Sequence, residues 1–294
     1  MPNAFDSCDL ELDRPLIAVT LGDPCGIGPE AIVAAWRRPE PHALCRPFVV
    51  GRPEWVRRAA DSLGVRVSVV AIRDPEEADP APDVIPCLVS GSDESLDAKI
   101  RGVDARGGQA AYDALVLAAQ LALAGRIDAL TTAPLCKESL HAAGKMYPGH
   151  TELLGELCGA PDVAMMLYLG PSELVRGSGG LGVAHATLHT AMRNIWNELT
   201  EERILATARL CTEVMERMKG ETPKIGVAAL NCHAGENGLF GDEEQTLIRP
   251  AVEKGIAQGL PLSGPHSVDS LFAHARDGKY DGVVAMYHDQ GHIA

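Results

Sequence analysis

Three histidines occupy positions from which they could together hold a metal ion. His189, His233 and His288 each follow a segment of aliphatic residues that is predicted to be a strand. In open α/β sheets, ligands bind beyond the carboxyl ends of the strands. Three imidazoles at such an edge would hold a divalent metal and leave an open position for a substrate. Taken singly, each histidine is more readily explained as a surface or core residue, so the pattern leaves both interpretations open.

His185 has the i, i+4 spacing of a metal-binding pair with His189. On a helix, that spacing brings two side chains to the same face. His185 lies inside a predicted strand, however, so we do not expect the two side chains to share a helical face.

Four further residues have types and positions suited to chemistry. His150 and Thr151 start a predicted helix, whose free N–H groups can bind an oxyanion, although an ordinary helix cap explains them equally well. Lys137 follows a predicted strand and could transfer a proton or pair with a carboxylate. Asp269 opens a helix predicted at 267–276, where a carboxylate also serves as a cap.

A glycine-rich turn at Gly22–Glu30 (GDPCGIGPE) directly follows the first predicted strand. Such a turn exposes backbone N–H groups that can hold an anion. The sequence matches neither the dinucleotide-binding fingerprint nor the P-loop, and a tight turn without a ligand is an equally good interpretation.

The elements that would position these residues alternate along the chain. Short aliphatic runs without clean period-two alternation are typical of strands covered on both faces. Segments 105–125 and 200–220 have the apolar spacing of helices, and the second begins T-E-E-R and ends at a glycine. The alternation predicts an α/β fold with a largely parallel sheet. Strands are predicted at 16–21, 47–51, 65–72, 84–90, 127–132, 163–169, 182–186, 224–230 and 282–287.

Composition narrows the possible functions of the 294-residue chain. The formal net charge of −14 argues against nucleic acid or an anionic membrane as the main partner, and 46% hydrophobic residues suffice for a packed core. The sequence contains no apolar stretch long enough for a membrane span and no signal-peptide pattern at its start. Its eight cysteines are scattered without a C-x-x-C. We therefore expect a cytoplasmic protein with reduced thiols that acts on a small molecule.

Seven segments of the sequence together resemble the PdxA family. They occur in the family's order, and HAGE-x-G and MYHDQG are the most specific of them. The matching segments are GDPCGIGPE, APLCKESLHAAG, YPGHTE, LHTAMR, NCHAGENGLFGDEE, SGPHSVDSLF and AMYHDQGH.

The resemblance implies two α/β/α domains with a cleft between them, as in isocitrate- and isopropylmalate-type dehydrogenases. It also implies a homodimer with the active site at its interface. On this comparison, residues 1–127 plus 262–294 form one domain, and residues 128–261 form a central domain that carries the dimer interface.

The resemblance further implies an oxidoreductase that uses NAD or NADP and a divalent metal, either zinc, magnesium or cobalt. The metal ligands would be the three histidines already identified by position, His189, His233 and His288. His150 and Thr151 would contact the substrate, and Asp269 and Lys137 would be catalytic. The implied reaction oxidises a secondary alcohol to a β-keto acid, which then loses CO2.

The leading substrate is 4-phosphooxy-L-threonine, converted to 3-amino-2-oxopropyl phosphate on the route to pyridoxal phosphate. Departures from the usual family motifs, among them Ala133 for Gly and Cys232 for Pro, leave the substrate open. The alternatives are a 4-phospho-D-threonate or erythronate dehydrogenase, a cis-dihydrodiol dicarboxylate dehydrogenase, and an inactive homologue that only binds ligands.

The position of the last residue gives a further expectation. Family members continue beyond the position of Ala294, with a Lys, an Asn and an Arg that contact the phosphorylated substrate. We therefore expect the sequence to be truncated at its C-terminus, and those three residues cannot be assigned.

Overall fold

The structure, a computed structural model, describes residues 14–293 as two α/β units. One unit extends to Ala160 and the other begins at Pro161. Each contains one five-stranded sheet. The predicted α/β class is therefore confirmed, whereas the likeness to isocitrate dehydrogenases and the cleft remain predictions. The predictions of no signal peptide at the N-terminus and of a reduced thiol at Cys8 concern residues outside the described range.

The first unit has an entirely parallel sheet with the strand order β3-β4-β2-β1-β5. Its strands are β1 (Leu16–Thr20), β2 (Arg46–Gly51), β3 (Ser68–Ile72), β4 (Val84–Val89) and β5 (Ala129–Thr132). Its helices are α1 (Gly28–Trp36), α2 (Pro39–Leu44), α3 (Pro53–Ser62), α4 (Ala105–Leu123), α5 (Lys137–Ala142) and α6 (His150–Leu157).

Both faces of this first sheet are covered. Phe48 and Val50 of β2 belong to one cluster of buried side chains, whereas Val49 between them belongs to another. Successive residues of a strand point to opposite faces, so each cluster lies on one side of the sheet. The missing period-two alternation in the sequence is thereby explained.

The second unit has a sheet with the strand order β6-β7-β10-β8-β9, in which only β6 runs antiparallel to its neighbour. Its strands are β6 (Met166–Leu169), β7 (Leu181–His185), β8 (Ile225–Ala228), β9 (Leu262–His266) and β10 (Gly282–Ala285). Its helices are α7 (Ile195–Glu198), α8 (Glu201–Lys219), α9 (Arg249–Ala257), α10 (Val268–Arg276) and α11 (His288–His292).

Helix α8 begins and ends where the sequence predicts. The Thr200 hydroxyl accepts a hydrogen bond from the backbone N–H of Arg203 at 3.1 Å, which satisfies a donor of the first turn. Gly220 ends the helix in the left-handed region at φ 77°. The buried face of α8 packs on the sheet through residues such as Ile204 and Met215.

The division into domains differs from the prediction and is corrected by the strand pairing. Strand β5, which the prediction placed in the central domain, pairs with β1 in the first sheet. Strands β9 and β10, which it placed with the N-terminal residues, pair with β8 and β7 in the second. Residues 262–293 therefore belong with the second unit, because backbone hydrogen bonds join β9 and β10 to its sheet.

Strand β9 is the one strand of the described residues that the sequence did not predict. Its sequence, Leu-Ser-Gly-Pro-His, contains two residue types that are depleted in strands, and its edge position tolerates them. Among residues 14–293, no helix is long and apolar enough to cross a membrane.

Candidate active site

Two of the three predicted metal ligands lie side by side in the second unit. Strands β7 and β10 are parallel neighbours, so the segments that follow them leave the sheet at the same edge. The ring centroids of His189 and His288, one from each segment, are 5.6 Å apart. A cavity of about 210 Å³ lies beside them, with Thr187, Tyr287 and other residues of the same two segments in its wall.

A neighbouring carboxylate holds one nitrogen of the His288 ring. Nδ1 of His288 lies 2.8 Å from Oδ1 of Asp289, the next residue along the chain. An imidazole that donates Nδ1–H to a carboxylate keeps Nε2 free as a ligand, which is the usual arrangement around protein-bound metals. Asp289 thus leaves Nε2 of His288 free for its predicted role as a metal ligand.

His185 lies directly beneath the helix that begins at His288. It is fully buried at the end of β7, where its Nδ1 is 3.2 Å from the carbonyl oxygen of Met165. A Cβ atom at Gly291 would come within 2.3 Å of its Nε2, so the backbone of α11 lies against the ring. Because His185 ends a strand, it does not share a helical face with His189, as the sequence predicts.

The second histidine of the HDQGH segment also packs in this cluster. The ring of His292 stacks on that of His288 with centroids 3.8 Å apart, and lies 5.0 Å from that of His185. Burial lowers the pKa of His185 below its ordinary value, and the two neighbouring histidines lower it further, against the effect of the Met165 carbonyl. Both effects favour the neutral form of the His185 ring.

His233 lies on a left-handed turn. The φ angles from His233 to Asn237 are all positive, between 40° and 72°. Each non-glycine residue in this region costs about 1–2 kcal/mol, and strain of this kind clusters at functional sites. The turn brings Oε1 of Glu236 within 3.1 Å of Nδ1 of His233, so Glu236 fixes this ring as Asp289 fixes His288.

The predicted catalytic carboxylate lies next to His233. Oδ2 of Asp269, in the first turn of α10, is 3.7 Å from Nε2 of His233. The Ser267 hydroxyl donates to the same oxygen at 3.3 Å. The structure therefore brings a predicted metal ligand and a predicted catalytic residue together, although they are 36 positions apart in the sequence.

The three predicted metal ligands do not all meet within one chain. Among residues 14–293, no three or more His, Cys, Asp or Glu side chains are grouped so as to hold a metal ion. His189 and His288 form one pair, and His233 pairs instead with Asp269. The complete centre therefore remains a proposal.

The predicted substrate-binding residues begin α6 in the first unit. Nε2 of His150 is buried and has no hydrogen-bond partner within residues 14–293. Burial lowers the pKa of His150 below its ordinary value, and a hydrogen bond with the backbone of Ala133 opposes that shift. A neutral ring with a free nitrogen is suited to a hydrogen bond with a ligand. Thr151 beside it is exposed.

Lys137 lies at the start of α5 and is also exposed. It forms no ion pair with any residue of the range 14–293. Its amine is therefore available for the predicted role in proton transfer.

The glycine-rich turn after β1 packs tightly on the segment after β5. A Cβ at Gly22 would meet the Pro134 carbonyl oxygen at 2.3 Å, and the Asp23 N–H donates to that oxygen at 3.0 Å. Asp23 also accepts from the Cys25 N–H at 2.8 Å. Burial, and then the nearby Asp23 carboxylate, raises the pKa of the Cys25 thiol to about 12, so the thiol is unreactive. These contacts explain why a glycine and an aspartate occupy positions 22 and 23, and they require no bound anion.

Sequence reasoning missed Asp289 and Glu236, which fix the rings of His288 and His233. The signal that could have found them is short-range: each carboxylate stands one or three residues after its histidine. Such a spacing is common by chance, and only the left-handed turn makes Glu236 reach its partner.

Comparisons with known proteins agree with the predicted family. A family model described as pyridoxal phosphate biosynthetic protein PdxA matches residues 43–294. A putative D-threonate 4-phosphate dehydrogenase of Symbiobacterium thermophilum is 39% identical over 281 residues, which are 96% of this chain and 81% of that protein.

Solved structures give the same result. The crystal structure of 4-hydroxythreonine-4-phosphate dehydrogenase from Klebsiella pneumoniae is 39% identical with a TM-score of 0.85, over 95% of this chain and 83% of that one. A terephthalate 1,2-cis-dihydrodiol dehydrogenase from Burkholderia xenovorans LB400 is 29% identical with a TM-score of 0.63, over 95% of this chain and 81% of that one. On the extent of these matches, the chain belongs to the PdxA family of dehydrogenases.

Proposed function

We propose that this protein oxidises the secondary alcohol of a phosphorylated β-hydroxy acid with NAD or NADP, with the help of a divalent metal and with loss of CO2. The observation that carries the proposal is the pair His189 and His288, 5.6 Å apart at one edge of the second sheet. Two further points support it: the relatives in the family are named as dehydrogenases, and the three histidines offer imidazole nitrogens as metal ligands. The choice of NAD or NADP rests on family membership alone.

The proposed metal ligands are His189, His233 and His288. In two of them, His233 and His288, a carboxylate holds Nδ1 and leaves Nε2 for a metal, so these residues fit the group. Imidazole donors suit zinc or cobalt better than magnesium. When bound, the metal supplies a Lewis acid that polarises the oxygen atoms of the substrate.

We propose that a homodimer completes the metal site, because one chain brings together only two of the three histidines. Trp196, in the segment after His189, and Phe240, near His233, are both exposed aromatic residues. Exposed aromatic surface beside an incomplete site is typical of a protein interface. On this proposal, His189 and His288 come from one copy and His233 from the other.

Subunit mixing tests this arrangement. His189→Ala and His233→Ala proteins would each bind no metal, but after refolding together the mixed dimers would contain one intact site. Roughly a quarter of the wild-type cobalt binding should return, since half of the dimers are mixed and each has one of two sites. Co-refolded His189→Ala and His288→Ala proteins should recover nothing, and recovery by that pair instead would contradict the assignment.

The remaining predicted residues have proposed roles that follow from their surroundings. Asp269 is proposed to take the proton of the substrate hydroxyl, because its carboxylate lies beside His233. His150 is proposed to bind the substrate through its free Nε2, and Thr151 through its hydroxyl. Lys137 is proposed to transfer a proton through its exposed amine.

The leading substrate is 4-phosphooxy-L-threonine, and 4-phospho-D-threonate is a second candidate. Relatives named for each are similar to this chain: one named for the first is 44% identical, and one named for the second is 40% identical. The cis-dihydrodiol alternative is less favoured, because that relative has the lower identity and TM-score. The proposed location is the cytoplasm, which is consistent with free cysteines throughout residues 14–293.

The direct test is a substrate panel with cobalt-loaded protein, in which reduced nicotinamide is followed by its absorbance. The two phosphorylated acids, their unphosphorylated forms and a cis-dihydrodiol dicarboxylate are compared with NAD and with NADP. The proposal expects turnover of a phosphorylated acid and none of its unphosphorylated form. Turnover of the dihydrodiol alone would overturn it, and no turnover by metal-loaded protein would favour the inactive homologue.

A further inference from the structure

We propose that the buried carboxylate of Glu244 is a positioning residue, which holds the left-handed turn of His233 in the shape that metal binding needs. The inference rests on the proposed function, because Glu244 would act through a proposed metal ligand.

Glu244 is a buried acid with a full set of donors. Only 2% of its surface is exposed. Its Oε1 accepts from the backbone N–H groups of Leu230 at 2.8 Å and Asn231 at 2.6 Å, and its Oε2 accepts from the Asn231 side-chain amide at 3.0 Å. Burial opposes ionisation, but these hydrogen bonds outweigh it and keep the pKa of Glu244 below its ordinary value.

These donors belong to the residues that lead into the turn. Strand β8 ends at Ala228, and the turn begins at Cys232. The backbone N–H groups of Leu230 and Asn231 lie between the two, where the sheet offers them no partner. Glu244 supplies that partner and so fixes the direction in which the chain enters the turn.

Glu244 also touches the middle of the turn. A Cβ atom at Gly235 would come within 2.6 Å of Oε2 of Glu244 and 2.9 Å of the Gly241 carbonyl oxygen. The carboxylate therefore lies against the turn backbone as well as at its entrance. Four non-glycine residues in the left-handed region persist only where their surroundings hold them there, and Glu244 is the buried group in contact with both parts.

The consequence for His233 is geometric. The turn sets the distance from Nδ1 of His233 to Glu236 and from its Nε2 to Asp269. Without the Glu244 carboxylate, the entrance to the turn loses its acceptors and the left-handed backbone relaxes. Leu230 and Asn231 lie beyond the end of β8, so we expect the loss to fall on metal binding rather than on the sheet.

The experiment uses Glu244→Gln in the whole protein and measures two quantities. Cobalt affinity is followed by the visible spectrum of the bound ion, and hydrogen exchange is measured for the Leu230 and Asn231 amides in metal-free protein. We expect affinity to fall about tenfold or more, the range found when groups that orient ligands are removed. Both amides should exchange faster, because the neutral oxygen of the Gln amide is a weaker acceptor than the carboxylate. Glu253→Gln, an exposed acid on α9, is the matched control and should behave as wild type.

A conservative variant and the metal-free protein distinguish failure of the inference about Glu244 from failure of the proposed metal site. Glu244→Asp keeps the charge and should fall between wild type and Glu244→Gln in both measurements. Unchanged cobalt affinity and unchanged exchange in Glu244→Gln would overturn the inference while the metal site stands. If wild-type protein binds no cobalt, the metal proposal fails, and the exchange of metal-free Glu244→Gln still decides whether Glu244 holds the turn.

A second variant covers the case in which Glu244→Gln does not fold. Asn231→Ala removes one donor from Glu244 and leaves the carboxylate in place. We expect faster exchange of the Leu230 amide and a smaller loss of cobalt affinity. Wild-type values for both would overturn the inference.

Discussion

Nδ1 of His288 lies 2.8 Å from the carboxylate of Asp289, so the free nitrogen of this ring is Nε2. Replacing Asp289 by Ala removes the group that holds the ring and its tautomer. We expect cobalt affinity to fall about 10- to 100-fold, with a smaller loss in Asp289→Asn, which keeps an acceptor. Titration with cobalt measures both.

The control for this prediction is Asp61→Asn in the first unit, an exposed acid that forms no ion pair with the described residues. It should leave cobalt affinity unchanged. Equal affinities for Asp289→Ala and wild type would show that Asp289 does not orient the ligand.

The close approach of Gly291 to His185 gives a second prediction. In Gly291→Ala, the new methyl group would stand 2.3 Å from Nε2 of the fully buried His185 ring. Overpacking of this kind costs about 1–3 kcal/mol, and it should displace α11 and weaken cobalt binding. Urea unfolding and cobalt titration measure the two effects. Gly170→Ala, where no atom lies within 4 Å, should be neutral, and equal stability of the two variants would refute the contact.

Asp281 fixes the start of β10, the strand that leads to His288. Its Oδ2 accepts from Nζ of Lys219 at 3.0 Å and from the Lys224 N–H at 2.7 Å, with only 3% of the residue exposed. Asp281→Ala should lower the free energy of unfolding by about 3 kcal/mol, because it leaves the Lys224 N–H without a partner and Lys219 with only the exposed Glu221.

Glu221→Ala is the matched control, because Glu221 contacts the same Lys219 at 3.3 Å but is largely exposed. Its loss should be below about 1 kcal/mol. Similar losses in the two variants, measured by urea unfolding, would contradict the assignment of the buried contact.

His150 makes stability depend on pH. Burial lowers its pKa below the ordinary value of 6.5, so the unfolded chain takes up a proton at a pH where the folded chain stays neutral. Its contribution is complete above the unfolded pKa and is lost as the pH falls through the folded pKa. From about pH 7 to about pH 5, wild type should therefore lose more stability than His150→Gln. A difference between the two proteins that does not change with pH would contradict this prediction.

The sequence predicted most of the fold because burial and capping leave local patterns. Nine of the ten strands within residues 14–293 follow aliphatic runs, and the caps Thr200 and Gly220 mark α8. The domain division was wrong because strand pairing is not local: nothing within residues 262–294 shows that β9 and β10 pair with β8 and β7. Strand β9 was not predicted, because it contains Gly264 and Pro265, two residue types that are depleted in strands.

The site was predicted in part for the same reason. His189 and His288 could be placed together, because neighbouring parallel strands end at one edge of a sheet. The pairing of His233 with Asp269 depends on five positive φ angles. Only a glycine indicates such an angle in a sequence, and four of these five residues are not glycine. Three-dimensional contacts, rather than spacing, also identified Glu244.

The most direct test of the account is whether oxidation of the phosphorylated acid needs the histidine-bound metal. Protein treated with a chelator should reduce neither NAD nor NADP with 4-phosphooxy-L-threonine or 4-phospho-D-threonate. Added cobalt or zinc should restore the rate in wild type and leave His288→Ala inactive. Full activity of metal-free wild type, or metal-restored activity of His288→Ala, would contradict the central claim.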